Sequence, residues 1–480
     1  MTEISAPGLA TRGSRVQSMA RVGPTAWNLL IGAVIVLVTL AFAGFQRPLW
    51  IDEVLHFATG AMSLADVLRT IDYTTIEINH GQTGVYILLD WVLLQILGAS
   101  AFALRLPSLL ATMVLLWSAV LVIRGQRLSR FWELWVIVVL VAHHMLMLFT
   151  ADARPYMPLA ASALAMVAYF LASPDMRRSW PYRIMGFFGV VVGSVMQAYW
   201  VLFLVLAIAL GLLSRYMRGD TWNGFRDAVR GISPRLVVLG LALYVVVGQL
   251  TWMRKAAEFG YDPYEMIGGR DRAVTVFWSH HVTVGTNSWL WVLLAAVTIV
   301  AMVLTWERWR IWLIPVALVI SGLGSSVLLS ALSISRGYWI FDRQWVAGMA
   351  LVAVGTTWLF GVLWQSGLKF WSVPKVASAI FIAMTAWGVI NSTTSLVATR
   401  ENWAQQSEVF ASDEATRSEL FRDITDAKVV YAANVNASRG GPVWFEFTAW
   451  YRGQAGMRPE FRETNPSWTR VLLGPDNWSG

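Results

Sequence analysis

Two carboxylates stand side by side in Trp50-Ile51-Asp52-Glu53-Val54, just past a long apolar run. Acids beside a hydrocarbon segment are costly unless they meet water, hold a partner or do chemistry. A third acid opens Asp152-Ala153-Arg154-Pro155-Tyr156, between two later apolar runs, and His56 and His80 follow the acidic pair. Carboxylates and imidazoles gathered at one membrane face could hold a hard divalent cation such as Mg or Mn, with Asp52, Glu53 and Asp152 as its oxygen ligands. Alternatively, one carboxylate could serve as a general base toward an incoming hydroxyl. The plain alternative is a solvated loop start, with each histidine a hydrogen-bonded loop residue.

Four arginines form the second set: Arg105, Arg154, Arg336 and Arg343. A guanidinium's planar fork suits phosphate and carboxylate oxygens, so their convergence would suit an anionic headgroup. Singly, each could snorkel or pair with a nearby acid. Arg336 and Arg343 flank Gly337-Tyr338-Trp339-Ile340-Phe341-Asp342, whose aromatics could stack on a sugar or form an interfacial belt.

Those side chains must be positioned by membrane helices. The chain has 480 residues, 56% hydrophobic and 14% charged, against about 25% charged in soluble domains. Its apolar runs are of bilayer-spanning length. With no cysteine, disulfides, thiolate metal sites and cysteine nucleophiles are excluded. The net charge of +8 fits basic cytoplasmic loops and gives no reason to expect nucleic acid. The sequence has no GxxxxGK[ST], no HExxH and no GxGxxG after a strand, so a nucleotide cofactor is not expected, and an activated substrate already in the membrane fits better.

In order, residues 1–26 read as a basic cytoplasmic tail. Apolar runs follow at 27–44, 81–98, 102–123, 131–149, 155–172, 184–197, 199–213, 235–253, 287–304, 311–332, 343–363 and 373–395, with a break near Gln197. Basic connections, such as the one holding Arg124, Arg127 and Arg130, should be cytoplasmic. This orientation works if 81–98, which contains Asp90 and Gln95, lies in the interface rather than crossing. About eleven crossings then result, with the N-terminus cytoplasmic and the C-terminus outside. The outer loop 45–80 should hold interfacial helices, since Leu55, Phe57, Met62, Leu64, Val67 and Leu68 have helical spacing. Residues 397–480 change character, with strands expected near Lys428–Ala432 and Val443–Trp450, and read as a small extracytoplasmic α/β domain after a mostly α, polytopic 27–396 membrane domain.

Four motifs in order over residues 27–175 resemble one family, the bacterial GT-C glycosyltransferases of the dolichyl-phosphate-mannose-protein mannosyltransferase type. They are Pro48-Leu49-Trp50-Ile51-Asp52-Glu53; His80-Gly81-Gln82 with Tyr86; Gly98-Ala99-Ser100-Ala101-Phe102-Ala103-Leu104-Arg105-Leu106-Pro107-Ser108; and Asp152-Ala153-Arg154-Pro155-Tyr156. A late Arg-Tyr element has its counterpart in Arg343-Gln344-Trp345, where glutamine replaces the tyrosine, and the double proline after His80 is missing. The resemblance implies a GT-C fold in the bacterial cytoplasmic (inner) membrane. It also implies inverting transfer of a hexosyl or pentosyl group from a polyprenyl-phosphate donor to a hydroxyl of a glycan, lipid or protein at the outer face. By position, Asp52 resembles the base, Glu53 and Asp152 supporting acids or cation ligands, and Arg105, Arg154, Arg336 and Arg343 phosphate contacts. His56, His80, Tyr86, Tyr156 and Tyr338 would line the substrate site. A lipid-sugar transporter or flippase, or a surface-glycan ligase or polymerase, remains the alternative.

Overall fold

The computed structural model of the protein describes residues 24–43, 53, 56, 64–69, 84–98, 101–197, 199–218, 247, 262–264, 267–281, 288–337, 340, 342–366 and 372–412. Most of the first outer loop, nearly all of the run 235–253 and the expected strands of the C-terminal domain lie outside these residues, as do Asp52, His80 and Tyr338.

The elements are α1 (Pro24–Ala43), α2 (Leu64–Arg69), α3 (Gly84–Leu97), α4 (Ala101–Gly125), α5 (Arg130–Ala142), α6 (His144–Thr150) and α7 (Tyr156–Leu171). Next come α8 (Pro174–Arg178), α9 (Trp180–Phe187), α10 (Gly193–Met196), α11 (Trp200–Arg218), α12 (Arg270–His281) and α13 (Ser288–Leu304). Then follow α14 (Trp309–Ser335), α15 (Val346–Ser366) and α16 (Val373–Ser412). All are helical, as a mostly α polytopic membrane protein requires. Five helices among the described residues are long and apolar enough to cross a membrane, and a sixth span results if α5 and α6, bent by 81°, are one. Five shorter apolar helices accompany them. One is α3, whose 14 residues extend about 21 Å, short of the roughly 30 Å of hydrocarbon. The break expected near Gln197 is present: α9 passes through a π turn at Phe188–Val192 into α10, and Gln197 is extended. α16 continues without interruption across residue 396 and ends at Ser412, the last of the described residues.

The core centres on α7. It carries no charge and every residue in it is buried. Its alanines (160, 161, 163, 165 and 168) let α4, α9, α11 and α15 approach closely, the small-residue packing that holds helices together where lipid removes the hydrophobic drive. α14 and α15 meet through glycine for the same reason. A Cβ on Gly322 would lie 2.6 Å from the Gly348 carbonyl oxygen, and one on Gly348 would collide with Ser326 Oγ. Replacing Gly348 with valine should therefore force the pair apart and cost about 1–3 kcal/mol. The check is a lowered melting temperature in detergent; an unchanged one would mean that the two helices do not pack through this contact.

α4 runs from one end of the bundle to the other and fixes both. At its far end Arg124 pairs with Glu133 (Nη2 to Oε2, 2.7 Å), and Trp27 Nε1 donates to the same oxygen at 2.9 Å. This node ties α1, α4 and α5 together at the end where the basic connection lies.

Candidate active site

The other end brings together the start of α4, the connection 151–155 between α6 and α7, and the 3-10 turn Asp342–Trp345 that opens α15. Glu53 and His56 join them, both with helical backbone.

Glu53 is wholly buried and held on two sides. Arg105 donates from Nε to Oε1 at 2.7 Å and from Nη2 to Oε2 at 2.6 Å, and the backbone N–H of Ala153 donates to Oε1 at 3.0 Å. Arg105 and Ser108 are three residues apart in α4, so they share a helix face. That face reads the 151–155 connection directly: Ser108 Oγ donates to the carbonyl of Asp152 at 2.5 Å and lies 3.2 Å from that of Arg154. One turn on, Thr112 bonds the Ser108 carbonyl at 2.9 Å and lies 3.3 Å from Thr150 Oγ1. The Arg-Leu-Pro-Ser and Asp-Ala-Arg motifs are thus two halves of one junction, with Glu53 as its keystone.

Arg154 projects from this junction over Tyr156, its guanidinium carbon 5.6 Å from the ring centre and Nη2 3.4 Å from the hydroxyl. Arg343, 189 positions later in the chain, approaches the same ring at 5.7 Å. Two guanidiniums on one aromatic ring form a cationic patch of the kind that matches an anion. Gln344 braces it: Nε2 lies 3.4 Å from Tyr199 Oη, and Oε1 lies 3.4 Å from Ser333 Oγ. On the outer side of the turn, His280 Nε2 is 3.5 Å from Asp342. Burial opposes charge on His280, but Asp342 and the Val276 carbonyl favour it more and its pKa is raised. The pair therefore adds stability below the ordinary imidazole range, which fades as pH rises through the raised value.

Behind that turn lies an apolar cavity of about 300 Å³, bounded by Trp278, His281, Trp291, Ala295, Leu323 and Phe381 among others. His281 separates it from the turn, stacking on Phe277 and bonding Ser326 at 2.7 Å. Burial pushes the His281 pKa down to about 4, with His280 adding to the Phe277-opposed effect, so its ring is neutral at pH 7.

Of the residues expected from sequence, Glu53, Arg105, Asp152, Arg154, Tyr156 and Arg343 converge, with His56 and Tyr86 beside them. Arg336 ends α14 with an exposed side chain. Arg105, expected to contact the donor, is engaged by Glu53, since a buried carboxylate and a buried guanidinium are each tolerated better paired than alone. Asp90 was not expected as a functional residue; the signal was a lone acid inside the apolar helix α3. Of the three acids expected as cation ligands, Asp52 lies outside the described residues. Both Glu53 oxygens are already in hydrogen bonds, and no three acids or histidines among the described residues are grouped to bind a metal.

Fold and site together define a helical polytopic membrane protein with a buried carboxylate–guanidinium junction beside two arginines that share one tyrosine ring. No protein-family model matches the chain, and no curated protein matches it. Among solved structures it is similar to ArnT from Cupriavidus metallidurans bound to undecaprenyl phosphate, with 14% identity, 95% of this chain and 78% of that chain covered, and a TM-score of 0.41. It is also similar to the apo state of that protein, with 13% identity, coverage of 70% and 78%, and a TM-score of 0.32. At this level the likeness supplies no residue correspondence.

Proposed function

We propose that this protein is a membrane glycosyltransferase that moves a sugar from a polyprenyl-phosphate donor to a hydroxyl acceptor at the extracytoplasmic face, with inversion. The observation that carries the reading is the convergence of Arg154 and Arg343 on Tyr156. In the transfer, the acceptor oxygen forms a bond to the anomeric carbon as the bond from that carbon to phosphate oxygen breaks. The leaving phosphate keeps the electron pair, and two guanidiniums fixed in advance compensate the charge that develops there. Asp52 removes the hydroxyl proton. Glu53, locked by Arg105 and the Ala153 N–H, holds the acidic segment and the 151–155 connection in register. The neighbouring apolar cavity offers hydrocarbon a place beside the phosphate. The motifs around Asp52, Arg105 and Asp152 support the same reading.

The test uses purified protein in detergent with a radiolabelled polyprenyl-phosphate sugar and, separately, a nucleotide sugar. Transfer from the first alone is expected. Arg343→Ala should weaken binding of polyprenyl phosphate about tenfold to a hundredfold, the worth of one charge-assisted hydrogen bond. Unchanged binding in the folded variant would remove Arg343 from the phosphate site, and transfer from the nucleotide sugar would change the donor class.

A further inference from the structure

A second polar unit is buried next to the junction and takes no part in the chemistry above. His56 Nδ1 lies 2.7 Å from Asp90 Oδ2, with side-chain exposures of 2% and 0%. Asp90 is the one charged residue of α3. A carboxylate in such a helix is expensive without a partner, and its other oxygen, Oδ1, has no hydrogen-bond partner among the described residues. The imidazole is therefore the group that makes the acid tolerable there. Tyr86, one turn earlier on α3, meets the His56 ring edge-on at 5.2 Å and 87°, which limits its rotation. With Nδ1–H donating to Asp90, Nε2 becomes the basic nitrogen.

The pair is contiguous with the junction. His56 follows Glu53 by three residues, both with helical backbone. α3, which carries Tyr86 and Asp90, packs against α4, which carries Arg105 and Ser108. A structural strut needs only the hydrogen bond. A tautomer fixed by a buried acid and a ring fixed by an aromatic edge, beside the reacting end of the bundle, are what a proton acceptor needs.

We propose that the His56–Asp90 pair is the final proton acceptor of the transfer: the proton that Asp52 takes from the acceptor hydroxyl passes on to Nε2 of His56, and Asp90 stabilises the imidazolium that results. The proposal rests on the glycosyl-transfer reading above, because only a reaction that deprotonates a hydroxyl has this proton to dispose of. The bonds balance as written there, with the electron pair on the departing phosphate and the proton on the imidazole until it returns by way of Asp52.

The experiment measures kcat, donor KM and the pH profile of the full-length wild type, His56→Gln and Asp90→Asn with a polyprenyl-phosphate sugar, alongside melting temperatures. Wild-type kcat should fall on the acid side, as an imidazole takes up its proton. His56→Gln should lose that limb and about a hundredfold in kcat, with donor KM unchanged. Asp90→Asn can donate its amide to Nδ1 and so imposes the other tautomer; it should fold, lose kcat and displace the limb. Should either variant fail to fold, the other carries the comparison. Folded variants that keep both the limb and kcat reduce the pair to a strut and overturn the proposal. A wild type inactive with this donor removes the transfer reading and this proposal together, so the two failures are told apart by the wild type alone.

Discussion

Arg105→Ala is expected to unfold the protein or nearly so, lowering stability by about 3–5 kcal/mol, the cost of leaving one member of a buried ion pair uncompensated. Glu53 is wholly buried and takes both charged hydrogen bonds from Arg105. Without the guanidinium it keeps, of the bonds described above, only that from the Ala153 N–H. The expected signature is a large drop in melting temperature in detergent and loss of the monodisperse peak. Glu53→Gln should fall in the same range, since the guanidinium is then the stranded charge. The double replacement Glu53→Leu/Arg105→Met removes both charges and should recover much of the stability, because a buried ion pair often gains little over apolar groups of similar size. Recovery of stability without recovery of transfer would separate the structural role of the pair from its placing of the acidic segment. If Arg105→Ala melts like the wild type, Glu53 is not held as described.

The parts of this site that were legible in the sequence are local ones. Asp52-Glu53, Arg105 and Asp152-Ala153-Arg154-Pro155-Tyr156 stand out because charge next to long apolar runs is rare and each motif is contiguous. What pairs with what was not legible. Arg105 reaches an acid 52 positions away, and Arg343 shares Tyr156 with Arg154 across most of the bundle. Those pairings follow from how helices pack, and periodicity says nothing about them. The fold shows the same division. Uniform apolar runs located the long helices, whereas the 81° bend between α5 and α6 lies inside one such run. It forms at His143, whose Nδ1 accepts the Leu146 N–H at 3.4 Å and caps the second segment, a local option that hydropathy does not record.

Asp52→Asn is the variant expected to do most damage to turnover while leaving the fold intact. An amide has nearly the shape of the carboxylate but cannot take a proton, and loss of a positioned base costs on the order of 10²–10⁴ in rate. Glu53, one residue away, is no ready substitute: its oxygens are committed to Arg105 and to the Ala153 N–H, and turning toward a hydroxyl would break the junction. In the proposed reaction the donor's phosphate is compensated by Arg154 and Arg343 and not by Asp52, so its KM should change little. The expected result is therefore a loss confined to kcat, in a protein with wild-type melting temperature and wild-type affinity for polyprenyl phosphate. Steady-state kinetics on the purified variant decide it. Wild-type kcat would clear Asp52 of the base role, and a rise in donor KM with kcat preserved would make it a binding residue instead. A kcat loss in Asp52→Asn larger than in His56→Gln would order the two along the proton's route, with the carboxylate at the hydroxyl and the imidazole beyond it.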